Sequence, residues 1–354
     1  MARRTTRSRV LELTTPLRRF EGSVRRRKRR RQGVIFLLGA GASVDAGMPT
    51  VADLTRELKE QLQNLPDING QRTVGFAKLF SAIEQIDADV GFNYERFFQW
   101  IDFLHKVQTD PFNKVANANV GPCILEAASQ FPAVIGGEIA RLLARRKSKP
   151  HYLVRLTEFL PGNGRLAVFT LNYDCCVEDA CRRGRIALAT GFDPGTRLWN
   201  PAVFRSGGRG INLYKLHGSL RWFQELYGTS LCELKAGDRK QLPKFVAVSD
   251  CPELILGPAP KIQPDDPYIT LFFELHRAVQ RARVCVVIGY GHADKHINTV
   301  LERAVAAGLA IVDVNTGPAN QSLQRSGAYV HLKQTAKSAL TGPAIRSALQ
   351  RVLA

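Results

Sequence analysis

Six short apolar runs constrain this chain more than any other feature: Val34–Leu38, Ala167–Leu171, Leu213–Leu216, Leu254–Leu256, Val284–Ile288 and Leu309–Val314. Each is near-continuous where a half-exposed strand would alternate, which is the pattern of strands buried on both faces. Helical patterns lie between several of them. Val51–Leu62 follows Pro49-Thr50, and Thr50 with Asp53 has the spacing of a capping box. Ala278–Arg281 and His296–Ala307 flank the run at Val284–Ile288. Strands alternating with helices predict an α/β fold, an open parallel sheet with helices on both faces. From about 60 to 150 no strand is evident. "FAKLFSAI", "YERFFQWIDFLHKV" and "GGEIARLLARR" space their apolar residues helically, so this stretch reads as a helical insertion after the first strand. Leu309–Val314 ends the predicted sheet, and 331–354 reads as a C-terminal helical tail. Gly191–Gly210, rich in Gly, Pro and Arg, reads as a surface loop.

Charge is distributed unevenly. The net charge is +19, and residues 1–32 hold thirteen Lys or Arg against only Glu12 and Glu21. "RRRKRRRQ" (Arg25–Gln32) cannot fold alone, because like charges repel and nothing apolar offsets the ordering entropy. Residues 1–32 are thus expected to be a basic, disordered arm: either a solvated tail or a contact for nucleic acid. No apolar run approaches the length of a membrane span, and no hydrophobic signal core is present. The seven cysteines include no Cys-x-x-Cys pair, which argues against a zinc site built from such pairs and for reduced thiols in a cytoplasmic protein.

The first strand runs into "GAGAS", Gly39 to Ser43. A glycine turn that opens a helix is a phosphate cradle in principle, because backbone N–H groups and the helix dipole both favour an anion. It is also a common tight turn. The dinucleotide fingerprint G-x-G-x-x-G is incomplete, since Val44 occupies the third glycine position, and no Gly-Lys-Ser or Gly-Lys-Thr follows. An ordinary dehydrogenase or a P-loop nucleotide triphosphatase is therefore disfavoured.

Later strands end in polar residues. "VFTLNYD" delivers Asn172 and Asp174, "LYKLHGSL" delivers His217 and Gly218, "VVIGYGHAD" delivers Gly289 and Tyr290, and "IVDVNTG" delivers Asn315. Taken singly, Asn172 could cap a helix, His217 could be a core histidine and Asn315 a turn residue. In an open parallel sheet the carboxyl ends of the strands line one crevice, where such residues can converge. His292 and His296, four apart with Asp294 between, are weaker candidates for a metal, and no metal is expected.

Gly39-Ala40-Gly41-Ala42-Ser43, Gly47-Met48-Pro49, Asn172-x-Asp174, His217-Gly218, Gly289 and Asn315, in that order, resemble the motifs of the sirtuins. The nearest likeness is to bacterial sirtuin-like domains that hydrolyse NAD in antiphage defence. It spans about residues 33–320 and implies a Rossmann-like, NAD-binding catalytic domain over 33–330. Three departures stand out. The interval after His217 holds only Cys232 and Cys251 where deacylating sirtuins carry a four-cysteine zinc module. Leu171 stands where they place a glutamine, and Thr50 where they place an aspartate. These losses disfavour protein deacylation and leave the NAD-cleaving parts in place.

The resemblance thus implies an NAD glycohydrolase that yields nicotinamide and ADP-ribose. Asn172 and His217 would be catalytic, the first orienting ribose or water and the second acting as base. Gly39, Ala40, Gly41, Ser43, Asp174, Gly218, Gly289, Tyr290 and Asn315 would hold the NAD, with the glycine loop at the pyrophosphate. A homo-oligomer or a regulatory partner is expected to restrain such an activity. A deacylase and a non-catalytic nucleotide-binding or nucleic-acid-associated subunit are the alternatives.

Overall fold

The computed structural model describes residues 33–62, 74–109, 134–226, 230–235, 249, 252–256, 265–324 and 328–353. The basic stretch 1–32, Cys251, and the segments 63–73 and 110–133 of the expected insertion lie outside the described residues.

The strands are β1 (Val34–Leu38), β2 (Arg165–Thr170), β3 (Leu188–Ala189), β4 (Gly210–Lys215), β5 (Trp222–Gln224), β6 (Leu231–Glu233), β7 (Val284–Ile288), β8 (Ala310–Val314) and β9 (Tyr329–Leu332). Seven of them form one sheet in the order β3-β4-β2-β1-β7-β8-β9, and every pairing is parallel. β5 and β6 form a separate antiparallel pair. The chain builds outward from β1 on one side, then returns to β7 on the other. The topological switch point of this Rossmann-like sheet therefore lies between β1 and β7, where ligand crevices form in open α/β folds.

The helices are α1 (Gly41–Val44), α2 (Val51–Leu62), α3 (Val74–Ile86), α4 (Tyr94–Thr109), α5 (134–144), α6 (Cys176–Arg183), α7 (Tyr268–Arg281), α8 (Lys295–Ala306), α9 (Gln321–Gln324), α10 (Ala336–Thr341) and α11 (Ala344–Leu353). Short 3-10 helices cover Ala88–Phe92, His151–Phe159 and Pro201–Arg205. Both faces of the sheet are buried, as the near-continuous apolar runs require. Phe36 and Leu38 of β1 pack into a core with α2 to α6, α10 and α11, while Ile35 and Leu37 pack into a second core with α7 and α8. The Thr50 hydroxyl accepts from the Asp53 N–H (3.1 Å) and donates to its carboxylate (2.7 Å), so the predicted start of α2 is in place. Among the described residues no helix is long and apolar enough to cross a membrane.

Three expectations need correction. Leu254–Leu256 is not a strand of the sheet. Leu254 makes a single antiparallel bridge with Gly218, and Ile255 donates its N–H to the His217 carbonyl (2.9 Å), so this run covers the turn after β4. The boundary at 330 cuts through β9, whose Val330 and Leu332 pair with Val312 and Val314. The expected C-terminal helices are present at Ala336–Thr341 and Ala344–Leu353, and their Ala336, Leu340, Ile345 and Leu349 belong to the core. Gly191–Gly210 is not simply surface either. Phe192 and Phe204 are buried and pack with Trp199, because aromatic area outweighs the polar residues around it.

Candidate active site

The register of the sheet sets one row of residues at its carboxyl edge. Leu38 pairs with Thr170 and Ile288, Thr170 with Lys215, and Ile288 with Val314. The residues that follow each member of this row, Gly39, Leu171, Leu216, Gly289 and Asn315, must emerge along the same edge. A cleft of about 190 Å³ opens there. Asn172, His217 and Asp174 line it together with Gly39, Ala40, Gly289 and Tyr290. Four of the loops singled out in the sequence thus meet in one place.

The glycines of the first loop serve a packing task. A Cβ on Gly39 would stand 2.6 Å from the Gly289 oxygen, and one on Gly41 would stand 2.7 Å from the Gly289 Cα. Gly289 itself has φ +63, and a Cβ there would meet the Ala42 nitrogen at 2.2 Å. The absent side chains let the β1 and β7 loops touch backbone to backbone. The N–H groups of this loop are largely satisfied within the protein: Gly39 donates to the Ile288 oxygen, Gly41 to Gly289, Ala42 to Gly39 and Ser43 to Ala40. Among the described residues the Ala40 N–H is the one amide of this loop without a backbone acceptor.

Ser43 lies behind the cleft lining. It is buried, and its Oγ accepts from Asn172 Nδ2 at 3.1 Å. Asn172 Nδ2 also donates to the Gly39 carbonyl at 3.0 Å. Because a carbonyl can only accept, this contact fixes the amide orientation and leaves Oδ1 as the polar atom for the cleft. Asp174 accepts from the Cys176 N–H (2.9 Å) at the start of α6. Beneath this loop Lys215, fully buried, donates to Glu178 Oε1 at 2.9 Å and to the carbonyls of Tyr173 and Asp174. Burial alone would lower the Lys215 pKa, but the acidic groups around it, Glu178 foremost with Cys175 and Asp174, together outweigh it and raise the pKa above its ordinary value.

His217 is buried, with Nε2 3.2 Å from Asp294 Oδ2. Gly218 lies outside the cleft lining. At φ +90 it makes the turn, and a Cβ would stand 2.3 Å from the Glu253 oxygen. Asn315 is also a supporting residue, donating from Nδ2 to the Tyr290 carbonyl at 2.8 Å and accepting from the Gly317 N–H. The Tyr290 hydroxyl donates within reach of the Asp294 oxygen and Asn298 Oδ1, both at 3.0 Å. Burial pushes its phenol far above the ordinary range, and the Asp294 carboxylate adds to the effect. His292 packs beside the aspartate on β8. Its Nε2 lies 3.3 Å from the buried Asp313.

Sequence reasoning missed several lining residues. Met48, Val51 and Leu54 come from the loop before α2 and from its first turns, Tyr94 and Glu95 from α4, and Asp294 from the cap of α8. Asp294 carried a signal, since an Asp directly before a helical pattern is an N-cap. Glu95 carried none, because its place depends on how the insertion packs. With Asp174 these residues put three carboxylates beside one imidazole, and among the described residues no Lys or Arg lines the cleft. Such a lining favours a cationic group over an anionic one.

The family described as SIR2-like domain matches residues 166–311. No curated protein matches the sequence. Among solved structures, the crystal structure of a SIR2 homolog–NAD complex is 14% identical, with 92% of each chain covered and a TM-score of 0.47. A Sir2 homologue mutant–ADP ribose complex is 15% identical, covering 92% of this chain and 94% of that one, with a TM-score of 0.47. Sir2Tm bound to a propionylated peptide is 13% identical over 92% and 94%, with a TM-score of 0.41. The stretch that matches the SIR2-like domain model holds Asn172, Asp174, His217 and Tyr290.

Proposed function

We propose that this protein is an NAD glycohydrolase that cleaves the bond between nicotinamide and ribose, releasing nicotinamide and ADP-ribose. The observation that carries the reading is the meeting of Asn172, Asp174 and His217 in one cleft at the switch point of a sheet with a sirtuin-like domain. Nicotinamide in NAD is already a cationic leaving group, so departure needs little acid assistance. The barrier lies in the positive charge that develops on the ribose as the bond breaks. Asn172 Oδ1 accepts from a ribose hydroxyl or from the attacking water. His217 takes the proton that this water releases, as an imidazole placed in the cleft can. The carboxylates of Glu95, Asp174 and Asp294 favour both the nicotinamide cation and the charge that replaces it. Pyrophosphate contacts fall to the Ala40 N–H and to the end of α2 at Thr50 and Val51. By its resemblance the enzyme depletes NAD in antiphage defence, with a second copy or a partner restraining it.

Purified protein incubated with NAD should release nicotinamide without any acylated peptide, and Asn172→Ala and His217→Ala should not. Full turnover by a folded Asn172→Ala protein refutes the assignment. Release that requires an acetylated peptide favours a deacylase. ADP-ribose binding with no turnover favours a nucleotide-binding subunit.

A further inference from the structure

Along β4 alternate side chains point to opposite faces of the sheet. On one face Ile211 and Leu213 pack in the core that also holds Cys176, Val177 and Ala180 of α6. Lys215, the next residue on that face, puts an ammonium where a strand buried on both sides would carry an apolar side chain. Its three N–H groups meet three acceptors: Glu178 Oε1 at 2.9 Å, the Tyr173 carbonyl at 3.3 Å and the Asp174 carbonyl. The side chain is fully buried, so water competes for none of them. Two of the three are consecutive carbonyls of the loop between β2 and α6. That loop carries Asn172 and Asp174 into the cleft, while Lys215 itself stands outside the cleft lining. Further ties run the same way. Leu220 donates its N–H to the Tyr173 carbonyl (3.1 Å), and the Tyr173 hydroxyl donates to the Ile255 carbonyl (2.7 Å). Lys215 precedes His217 by two residues, so its ammonium couples the loop to the strand end that delivers the imidazole. Stability alone does not account for a charge here, because replacing a buried ion pair by apolar residues of similar volume is often neutral or stabilising.

We propose that Lys215 is a positioning residue for the reaction: by holding the carbonyls of Tyr173 and Asp174, it sets the backbone of the 172–174 loop and so the places of Asn172 and Asp174 against His217. The catalytic part rests on the hydrolase reading, while the anchoring of the loop stands on the contacts alone. Catalysis by orientation tolerates little drift, since a misplacement of about 1 Å can cost about a hundredfold in rate.

Two variants separate this role from a merely structural one. Lys215→Met combined with Glu178→Leu replaces the pair by apolar side chains and releases both carbonyls. Glu178→Gln alone keeps an acceptor oxygen for the ammonium and leaves it on the carbonyls. The double variant should melt near the wild type, yet its kcat for nicotinamide release should fall at least about tenfold while KM for NAD stays within about threefold. Glu178→Gln should melt lower and keep its kcat within about threefold of the wild type. Hydrogen exchange, read by mass spectrometry on peptides covering 171–176, should quicken in the double variant, with β1 and β7 unchanged. Should the double variant not fold, Lys215→Gln with Glu178→Gln, a neutral hydrogen-bonding pair, takes its place with the same fall in kcat and the same exchange expected. Wild-type kcat or unchanged loop exchange in the double variant overturns the positioning role, as does a Glu178→Gln protein that loses kcat as steeply. If the wild type releases no nicotinamide while loop exchange still quickens, the anchoring stands and the hydrolase reading fails.

Discussion

Replacing Lys215 by methionine removes a fully buried cation beneath the loop that carries Asn172 and Asp174. The lysine side chain is 0% exposed and that of Glu178 is 5% exposed, so no solvent takes over when the ammonium is lost. The variant strands the Glu178 carboxylate in the core and deprives the carbonyls of Tyr173 and Asp174 of a donor. Breaking a buried pair from one side costs about 3–5 kcal/mol. With an unfolding entropy of about 2.1 cal/mol/K per residue over 354 residues, near 0.7 kcal/mol/K, this corresponds to a fall of about 4–7 °C in the unfolding midpoint. Circular dichroism melts at pH 7.5 measure it directly. Because the Lys215 pKa is raised by folding, its stabilisation is fully present below the ordinary lysine value of 10.5 and is lost as pH climbs through the higher folded value. The gap between wild type and Lys215→Met should therefore be constant through neutral pH and narrow only in strong alkali. Adding Glu178→Leu to Lys215→Met removes the stranded charge and should recover most of the loss. A single variant that melts within about 1.5 °C of the wild type, or a double variant that melts below the single one, refutes this reasoning.

Further outcomes are expected elsewhere in the site. Asn172→Ala should keep the fold, losing about 1–2 kcal/mol with its contacts to Gly39 and Ser43, yet drop nicotinamide release by about a hundredfold or more; chromatographic assay of the product checks this. Gly289→Ala should cost more than about 3 kcal/mol or prevent soluble expression, since its Cβ would meet the Ala42 nitrogen at 2.2 Å, whereas Gly207→Ala, with open space around it, should melt like the wild type. Burial pushes the Cys175 thiol up to about 12, so iodoacetamide at pH 8 should leave this half-buried cysteine unmodified in the folded protein, as peptide mass spectrometry would show.

Much of the sheet was legible because its central strands are buried on both faces, and a run such as Val284–Ile288 leaves few other options. β9 was not, for a physical reason. It is an edge strand, half-buried throughout, with His331 inside it, so its apolar signal is diluted. The convergence of Asn172 and His217 followed from strand ends and parallel topology alone. The meaning of the glycines did not. Gly39 and Gly41 are small because of Gly289, and a contact across some 250 residues leaves no local trace. Gly218 and Asn315 likewise hold turns and loops that enclose the cleft without lining it.

The glycine contact between the first and seventh strands also dictates the route into the cleft. Parting them would tear the Gly39–Ile288 and Gly41–Gly289 hydrogen bonds and unzip the ladder below. That seam behaves as a rivet at the floor of the crevice. Passage for a bulky guest is left to the opposite wall, which Thr50 and Leu54 at the start of α2 and Tyr94 and Glu95 at the start of α4 provide.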